Sequence, residues 1–202
     1  MTVQPHRCLV TGGARSGKSR WAEARLAGAP VRYVATGYPG FLDDEWAQRV
    51  ALHQRRRPSS WRTIETLDLA AELAHDSPGP LLVDCLTLWL TRTFDRLGAW
   101  SVPAPEIAGL VEDDIASVVG ALASASGEVV LVTNEVGWGV VPESSGSRVF
   151  ADTLGVLNSR VAAVCEEVVL LVAGVPMTIK GGAPTPSPSP LIPDRPTGNG
   201  AH

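Results

Sequence analysis

The sequence predicts an α/β fold of three layers, with helices on both faces of a mostly parallel sheet. Short apolar runs alternate with longer segments of helical pattern between residues 7 and 180. Several of the short runs are apolar throughout, which is typical of central parallel strands that are buried on both faces. Hydrophobic residues make up 45% of the 202-residue chain, which is enough for the core of one domain of this size.

The predicted elements alternate regularly along the chain. Strands are predicted at residues 8–11, 31–35, 62–65, 80–84, 128–133, 167–173 and 177–180. Helices are predicted at residues 19–27, 43–57, 67–75, 86–97, 106–125 and 147–167. The last two strands, joined at Gly174-Val175-Pro176, look like a hairpin that would add an antiparallel edge to the sheet.

Composition and charge argue against several classes of partner. The formal net charge is -4 and the sequence pI is about 5.6, so no overall positive field would draw the chain to nucleic acid or anionic lipid. The N-terminus lacks the pattern of a signal peptide, and no apolar run approaches about 18 residues, so we expect a cytoplasmic protein without a membrane span. The three cysteines lie in or beside apolar runs without metal-ligand spacing, which indicates core residues of a reduced protein.

We expect one domain over residues 1–180, followed by a tail of different composition. Residues 181–202 are rich in proline, glycine and serine and contain little to bury. This composition predicts a disordered segment, with a proline-motif docking role as the alternative.

A phosphate-binding loop is predicted between the first strand and the first helix, where the chain matches the pattern G-x-x-x-x-G-K-[ST]. Its residues are Gly12, Gly13, Ala14, Arg15, Ser16, Gly17, Lys18 and Ser19. The glycines allow successive backbone N–H groups to point at a β-phosphate, and the start of the helix adds its positive end. Lys18 is expected to reach the β- and γ-phosphate oxygens of a nucleoside triphosphate, and the Ser19 hydroxyl to ligate Mg²⁺. The loop therefore predicts transfer of a phosphorus group from a nucleoside triphosphate.

Asp84 is the candidate for a second magnesium ligand. It ends the apolar run at residues 80–84. A carboxylate that ends a strand beside the phosphate loop can hold the metal partly through water. The alternative role of Asp84 is the N-cap of the following helix, and the two roles are compatible.

The helix predicted at residues 43–57 carries a histidine and a run of arginines. Trp46, Val50 and His53 share one face of this helix, and their spacing alone favours a packed histidine over a catalytic one. The arginines at 55–57 are strong phosphate ligands, but a solvated helix end explains them equally well.

Polar residues also follow the strand predicted at residues 128–133. Asn134 and Glu135 come at its end, and two glycines flank Trp138 shortly afterwards. Ligands of open α/β sheets collect at the carboxyl ends of strands, so Asn134 and Glu135 are expected to contact a substrate. The alternative is an ordinary turn before a capped helix.

Seven segments of the chain, taken in order, resemble one known family. They are TGGARSGKSRWAE, YVATG, DDEWAQRVALHQRRRPSSWRTIE, LLVDCLTLWLT, LVTNEVGWGVVPE, RVFADTLGVLNSRVA and the closing IK. Over about residues 7–180 they are similar to the bifunctional adenosylcobinamide kinase / adenosylcobinamide-phosphate guanylyltransferase of cobalamin synthesis. Two positions depart from the family pattern: Trp46 stands where a methionine is expected, and Leu52 replaces the first histidine of a pair that some relatives carry.

The resemblance implies a RecA-like P-loop domain that assembles as a homotrimer. It implies phosphorylation of the free hydroxyl of adenosylcobinamide by ATP or GTP, with Lys18 as a catalytic contact. GMP from GTP is then carried on His53 and passed to the new phosphate, giving adenosyl-GDP-cobinamide. Besides the phosphate loop, the implied nucleotide contacts are Ala35, Thr36, Gly37, Gln54, Arg55, Arg56, Arg57, Glu65 and Asp84.

Two other functions stay open at this level, because P-loops occur in many kinds of protein. One is another small-molecule P-loop kinase without nucleotidyl transfer, which would form no GMP adduct. The other is a nucleotide-dependent switch or assembly ATPase. The sequence carries none of the partner-binding insertions that such a protein would be expected to have.

Truncation after Gly181 should leave the melting temperature and both implied activities nearly unchanged. The removed segment has little to bury, so its loss should cost almost nothing. Thermal unfolding and the two activity assays, run on the full chain and the truncated chain, check this. A drop of several degrees in the melting temperature would show that the tail docks on the domain.

Overall fold

The sheet of this protein places the loops predicted to be functional at the carboxyl ends of its parallel strands. The computed structural model describes residues 6–37, 51, 55, 57–76 and 79–181. The strands in this part of the chain are β1 (Arg7–Gly12), β2 (Arg32–Ala35), β3 (Arg62–Glu65), β4 (Leu81–Asp84), β5 (Val129–Val132), β6 (Glu167–Val172) and β7 (Val175–Lys180). These described strands form one seven-stranded sheet in the order β3-β2-β4-β5-β1-β6-β7. All neighbours pair in parallel except β6 and β7, which are antiparallel.

The helices connect these strands and cover both faces of the sheet. They are α1 (Lys18–Arg25), α2 (Leu69–Ala74), α3 (Leu86–Leu97), α4 (Ala104–Ser124) and α5 (Ser145–Val164), with a 3₁₀ turn at Ala99–Ser101. Side chains cap two of them: Asp68 accepts a hydrogen bond from the Ala71 N–H, and Ser144 accepts one from the Ser147 N–H. None of the helices in the described part of the chain combines the length and apolar character that a bilayer span requires.

The continuous apolar runs serve two cores at once. On β5, Val129 and Leu131 face the core formed with α2 to α5, whereas Val130 and Val132 face the core that contains Trp21 of α1. Side chains alternate between the two faces of a strand, so a strand covered on both faces must be apolar at every position. The predicted α/β fold with a mostly parallel sheet is confirmed. The three cysteines, Cys8, Cys85 and Cys165, are free and buried, as predicted.

Most element boundaries lie within one to three residues of those predicted, and two of the differences have a clear structural cause. The helix predicted at residues 147–167 ends at Val164, because Cys165 is already extended and Glu167 begins β6. The predicted edge hairpin is present, but its turn is Ala173-Gly174, and Val175 already belongs to β7. Both turn residues have positive φ values of 50° and 82°, which is the backbone of a two-residue type I′ turn.

Two predictions lie largely or wholly outside the described residues. Of the helix predicted at residues 43–57, only positions 51, 55 and 57 are described, and 51 and 55 are helical. The tail, beyond residue 181, also lies outside them and stays a prediction.

Leu131→Ala should lower the free energy of unfolding by about 2 to 5 kcal/mol, since it leaves a cavity in the core. Leu131 is 0% exposed at the centre of the sheet. The matched control is Leu110→Ala on α4, where the same side chain is 41% exposed and the cost should stay below about 1 kcal/mol. Urea denaturation followed by circular dichroism measures both values, and equal costs would contradict this description of the core.

Candidate active site

The carboxyl ends of the parallel strands bring the predicted site residues to one edge of the sheet. The register pairs Ala35 of β2 with Glu65 of β3 on one side and with Asp84 of β4 on the other. Asp84 in turn pairs with Val132 of β5, directly before the polar residues that follow this strand. The phosphate loop follows β1, the next strand along the sheet. Residues far apart in sequence therefore meet along this edge.

The phosphate loop requires glycine at two positions. Gly12 has a φ of 146°, and a Cβ atom there would lie 2.3 Å from the carbonyl oxygen of Leu171. Gly17, the N-cap of α1, has a φ of 98°, a left-handed conformation that side chains disfavour. The other end of the loop is held by the edge hairpin, because the Gly174 N–H donates to the Ser16 carbonyl at 3.0 Å. The sequence pattern and the backbone conformation thus agree.

Lys18 lies inside the loop. Its ammonium donates to the carbonyls of Gly12 and Gly13 at 2.9 and 2.7 Å, and the residue is 7% exposed. Burial lowers the pKa of Lys18, and nearby acidic groups, including Asp84 and Glu135, act in the opposite direction. The cation is therefore placed where the oxygens of a triphosphate would enter the loop.

Asp84 connects the loop to β2. Its Oδ1 accepts a hydrogen bond from the Ser19 hydroxyl at 3.2 Å, and its Oδ2 accepts one from the Tyr33 hydroxyl at 2.5 Å. Burial, with the nearby Asp84 as a second cause, raises the pKa of Tyr33 well above its usual value, so Tyr33 stays a donor. The N-cap of α3 is Cys85 and not Asp84, so the alternative role considered for Asp84 is not the one it has.

The oxygens of Ser19 and Asp84 fit a magnesium ion. Hydroxyl and carboxylate oxygens are hard ligands of the kind that Mg²⁺ takes, and it keeps several waters when few protein ligands are present. Among the described residues, no group of three or more His, Cys, Asp and Glu side chains could form a fuller metal site. A hydroxyl and a carboxylate at this place fit a Mg²⁺ ion that keeps waters and takes further oxygens from a bound nucleotide.

Arg57 lies against the same network. Its guanidinium carbon is 3.4 Å from the centre of the Tyr33 ring, and its Nη1 donates to the Thr63 hydroxyl at 3.0 Å. Arg55 is exposed, and so is Glu65 at the end of β3. The remaining members of the predicted run, His53, Gln54 and Arg56, lie outside the described residues.

Thr36 and Gly37 are buried behind the strand ends. The Thr36 hydroxyl donates to the Cys85 carbonyl at 2.7 Å and accepts from the Cys85 N–H at 3.1 Å. The Thr36 side chain therefore links the end of β2 to the start of α3, and any nucleotide contact at this position would fall to the backbone.

Asn134 and Glu135 lie half-buried beside the loop. The backbone N–H and the side-chain amide of Asn134 donate to the Thr87 hydroxyl at 3.0 and 3.1 Å. The Glu135 N–H donates to the Gly12 carbonyl at 3.2 Å, and its Oε1 accepts from the Thr11 hydroxyl at 2.7 Å. Asn134 thus fixes the turn, whereas Glu135 presents a carboxylate at the phosphate loop.

Two site residues were missed by the sequence analysis. Tyr33 was assigned only to a strand, although a tyrosine two residues before a strand end can reach a neighbouring carboxylate. Asn158 is 6% exposed and donates to the Asn134 carbonyl at 3.1 Å. The available signal was its position on the apolar face of α5, between Leu154 and Val161, where a polar side chain needs a partner.

Comparison with known proteins gives one consistent result. Residues 8–179 match the family model CobU, described as cobinamide kinase / cobinamide phosphate guanyltransferase. The chain is 44% identical over 184 residues to the bifunctional adenosylcobalamin biosynthesis protein CobU of Salmonella typhimurium, covering 85% of this chain and 98% of that protein. It is 42% identical to CobU of Escherichia coli over 182 residues (85% and 98%) and to CobP of Pseudomonas aeruginosa over 180 residues (87% and 98%).

Among solved structures, the chain is similar to the RadB recombinase, with a TM-score of 0.43 and 17% identity over 83% of this chain and 74% of that one. The family match and the identity to the three curated proteins extend over nearly the whole described domain. The resemblance carried by the seven sequence segments is therefore confirmed, and the chain belongs to the CobU family of bifunctional enzymes, cobinamide kinase / cobinamide phosphate guanyltransferase.

Proposed function

We propose that this chain catalyses both reactions of its family. It phosphorylates the free hydroxyl of adenosylcobinamide with ATP or GTP, and it then transfers GMP from GTP to the new phosphate. The observation that carries the proposal is the hydrogen bond between Ser19 of the phosphate loop and Asp84, 3.2 Å long. It joins the two groups that a magnesium triphosphate needs, in a chain 42–44% identical to bifunctional relatives.

In the kinase step, the protein holds the triphosphate and stabilises charge. Backbone N–H groups of the loop and the Lys18 ammonium neutralise the β- and γ-phosphate oxygens. Ser19 and Asp84 would hold Mg²⁺, which would supply further positive charge to the departing nucleoside diphosphate. Ala35, Thr36, Gly37 and Glu65 border the nucleotide at the neighbouring strand ends.

In the guanylyl transfer step, His53 attacks the α-phosphorus of GTP. A neutral imidazole is a good nucleophile near pH 7, and the phosphoramidate it forms is a reactive carrier of GMP. The contact of Arg57 with the Tyr33 ring supports this proposal, because the Tyr33 hydroxyl donates a hydrogen bond to Asp84. This contact places Arg57, the last residue of the 43–57 segment, beside the carboxylate of Asp84 that is proposed to hold the metal. Gln54, Arg55 and Arg56 precede Arg57 in the sequence and are proposed to bind the polyphosphate.

The two steps attack different phosphorus atoms, so His53 and the acceptor hydroxyl cannot both be in line with one pose of the nucleotide. The 43–57 segment or the nucleotide therefore shifts between the steps. Incubation of the intact protein with GTP and Mg²⁺ tests the core of the proposal. Mass spectrometry should then detect a covalent GMP adduct, and its absence would favour a kinase without nucleotidyl transfer.

We propose a homotrimeric assembly and a cytoplasmic setting as well. Edge strand β7 exposes Val175, Met177 and Ile179 by 62%, 53% and 60%, and contiguous exposed apolar groups are typical of protein interfaces. The three free, buried cysteines are in keeping with a reducing compartment.

Lys18→Ala should abolish kinase and guanylyltransferase activity together. Both reactions need the same triphosphate in the same loop, and loss of a charged contact to the reacting phosphates typically costs about 3 kcal/mol of transition-state stabilisation. The two reactions are assayed separately, the second with adenosylcobinamide phosphate supplied. A variant that lost one activity and kept the other at the wild-type rate would contradict the single-site proposal.

His53→Asn should leave a folded protein that still phosphorylates adenosylcobinamide, because that step needs no covalent carrier. It should form no GMP adduct and no adenosyl-GDP-cobinamide. The wild-type adduct should break down in acid and survive in alkali, as expected for a phosphoramidate. These outcomes are measured with α-labelled GTP and denatured protein. Retention of label by the variant, or an acid-stable wild-type adduct, would rule out His53 as the carrier.

A further inference from the structure

We propose that Glu135 is the general base of the kinase step, taking the proton from the acceptor hydroxyl as that hydroxyl attacks the γ-phosphorus. This inference rests on the kinase activity proposed above and deepens it. Sequence reasoning placed Glu135 among the substrate contacts without a chemical role. Its position, its orientation and the engagement of the neighbouring carboxylates assign it one.

Glu135 is fixed against the entrance of the phosphate loop. Its N–H donates to the Gly12 carbonyl at 3.2 Å, and its Oε1 accepts from the Thr11 hydroxyl at 2.7 Å. The Lys18 ammonium donates to the same Gly12 carbonyl at 2.9 Å. A lysine at this position of a phosphate loop contacts the β- and γ-phosphates, so the carboxylate lies beside the space where the γ-phosphate is transferred.

One oxygen of Glu135 is held and the other is available. Oε1 also accepts a hydrogen bond from the Asn158 amide at 3.3 Å. Asn158 is itself oriented, because its Oδ1 accepts from the Thr133 hydroxyl at 2.7 Å. Within the part of the chain that the structure describes, no donor reaches Oε2 of Glu135. A carboxylate with one fixed and one available oxygen is oriented for proton transfer to Oε2.

The other carboxylates of this edge are less suited to the role. Both oxygens of Asp84 accept hydrogen bonds, from Ser19 and Tyr33, and Asp84 is the proposed metal ligand. Glu65 lies at the end of β3, which is four strands away from β1 in the sheet. At the usual spacing between strands, this separation is about 19 Å, too far for a group that must touch the acceptor.

The step balances without a further reactant. The acceptor oxygen forms a bond to the γ-phosphorus, and the bond from the γ-phosphorus to the β,γ-bridging oxygen breaks. Its electron pair leaves with ADP or GDP, and the hydroxyl proton moves to Oε2 of Glu135 and later to water. Guanylyl transfer needs no such base, since its nucleophiles are a neutral imidazole and then a phosphate anion. Glu135 should therefore matter for the first reaction alone.

The test is Glu135→Gln, which keeps an oxygen to accept from Thr11 and Asn158 but removes the base. The turnover number of the kinase reaction should fall by about 100-fold or more, as is typical when a general base is lost. Stabilisation of the protein by GTP and Mg²⁺ in a thermal shift assay should be retained. Transfer of GMP to supplied adenosylcobinamide phosphate should stay within about threefold of wild type, since only the first step loses its base. The matched control, Glu143→Gln, changes an exposed glutamate of the same segment and should leave both reactions unchanged.

Three results would overturn the assignment. Kinase activity of Glu135→Gln within about threefold of wild type would show that no proton transfer depends on this residue. An equal fall in both reactions, or loss of stabilisation by GTP and Mg²⁺, would show that Glu135 supports the phosphate loop instead. Failure of the wild-type protein to phosphorylate adenosylcobinamide would refute the proposed kinase activity itself, and it is seen without any variant.

Discussion

The carboxylate of Asp84 ties the phosphate loop to the far half of the sheet. One oxygen accepts from Ser19 at the start of α1, and the other accepts from Tyr33 on β2. Because α1 follows directly on the loop, these two hydrogen bonds help to fix the position of the loop relative to β2 and β4. Arg57, stacked on the Tyr33 ring, depends on the same contact. Loss of this one carboxylate would therefore disturb the proposed metal site, the loop and the contact of Arg57 together.

The other side of the loop is constrained by the edge hairpin. Gly12 passes so close to Leu171 of β6 that no Cβ atom fits between them. The turn of the hairpin then reaches the loop through the hydrogen bond from Gly174 to Ser16. The antiparallel pair therefore does more than extend the sheet, because its contacts with Gly12 and Ser16 constrain the conformation of the phosphate loop. A hairpin with a longer turn would place other atoms at Ser16.

The features predictable from sequence are those that depend on local spacing. The glycine spacing predicts the phosphate loop, and the position of Asp84 at the end of an apolar run predicts that its carboxylate lies beside this loop. Tyr33 was missed because its contact requires β2 to lie beside β4, and the order of elements along the chain does not reveal that neighbour. The end of α5 was predicted too late for a similar reason: the apolar pattern continues, but Glu167 pairs with Cys8 in the sheet.

In the proposed mechanism, the two nucleophiles approach opposite sides of one phosphate site. Arg57, the last residue of the 43–57 segment, lies on the β2 side of Asp84, where it contacts Tyr33. Glu135 lies on the opposite side, where it contacts Thr11 of β1. The two nucleophiles would thus reach the triphosphate from different sides. Lys18, Asp84 and Glu135 are each hydrogen-bonded to β1, its loop or the start of α1. In the proposed mechanism these three groups can therefore keep the same positions in both reactions, so that one phosphate site serves both.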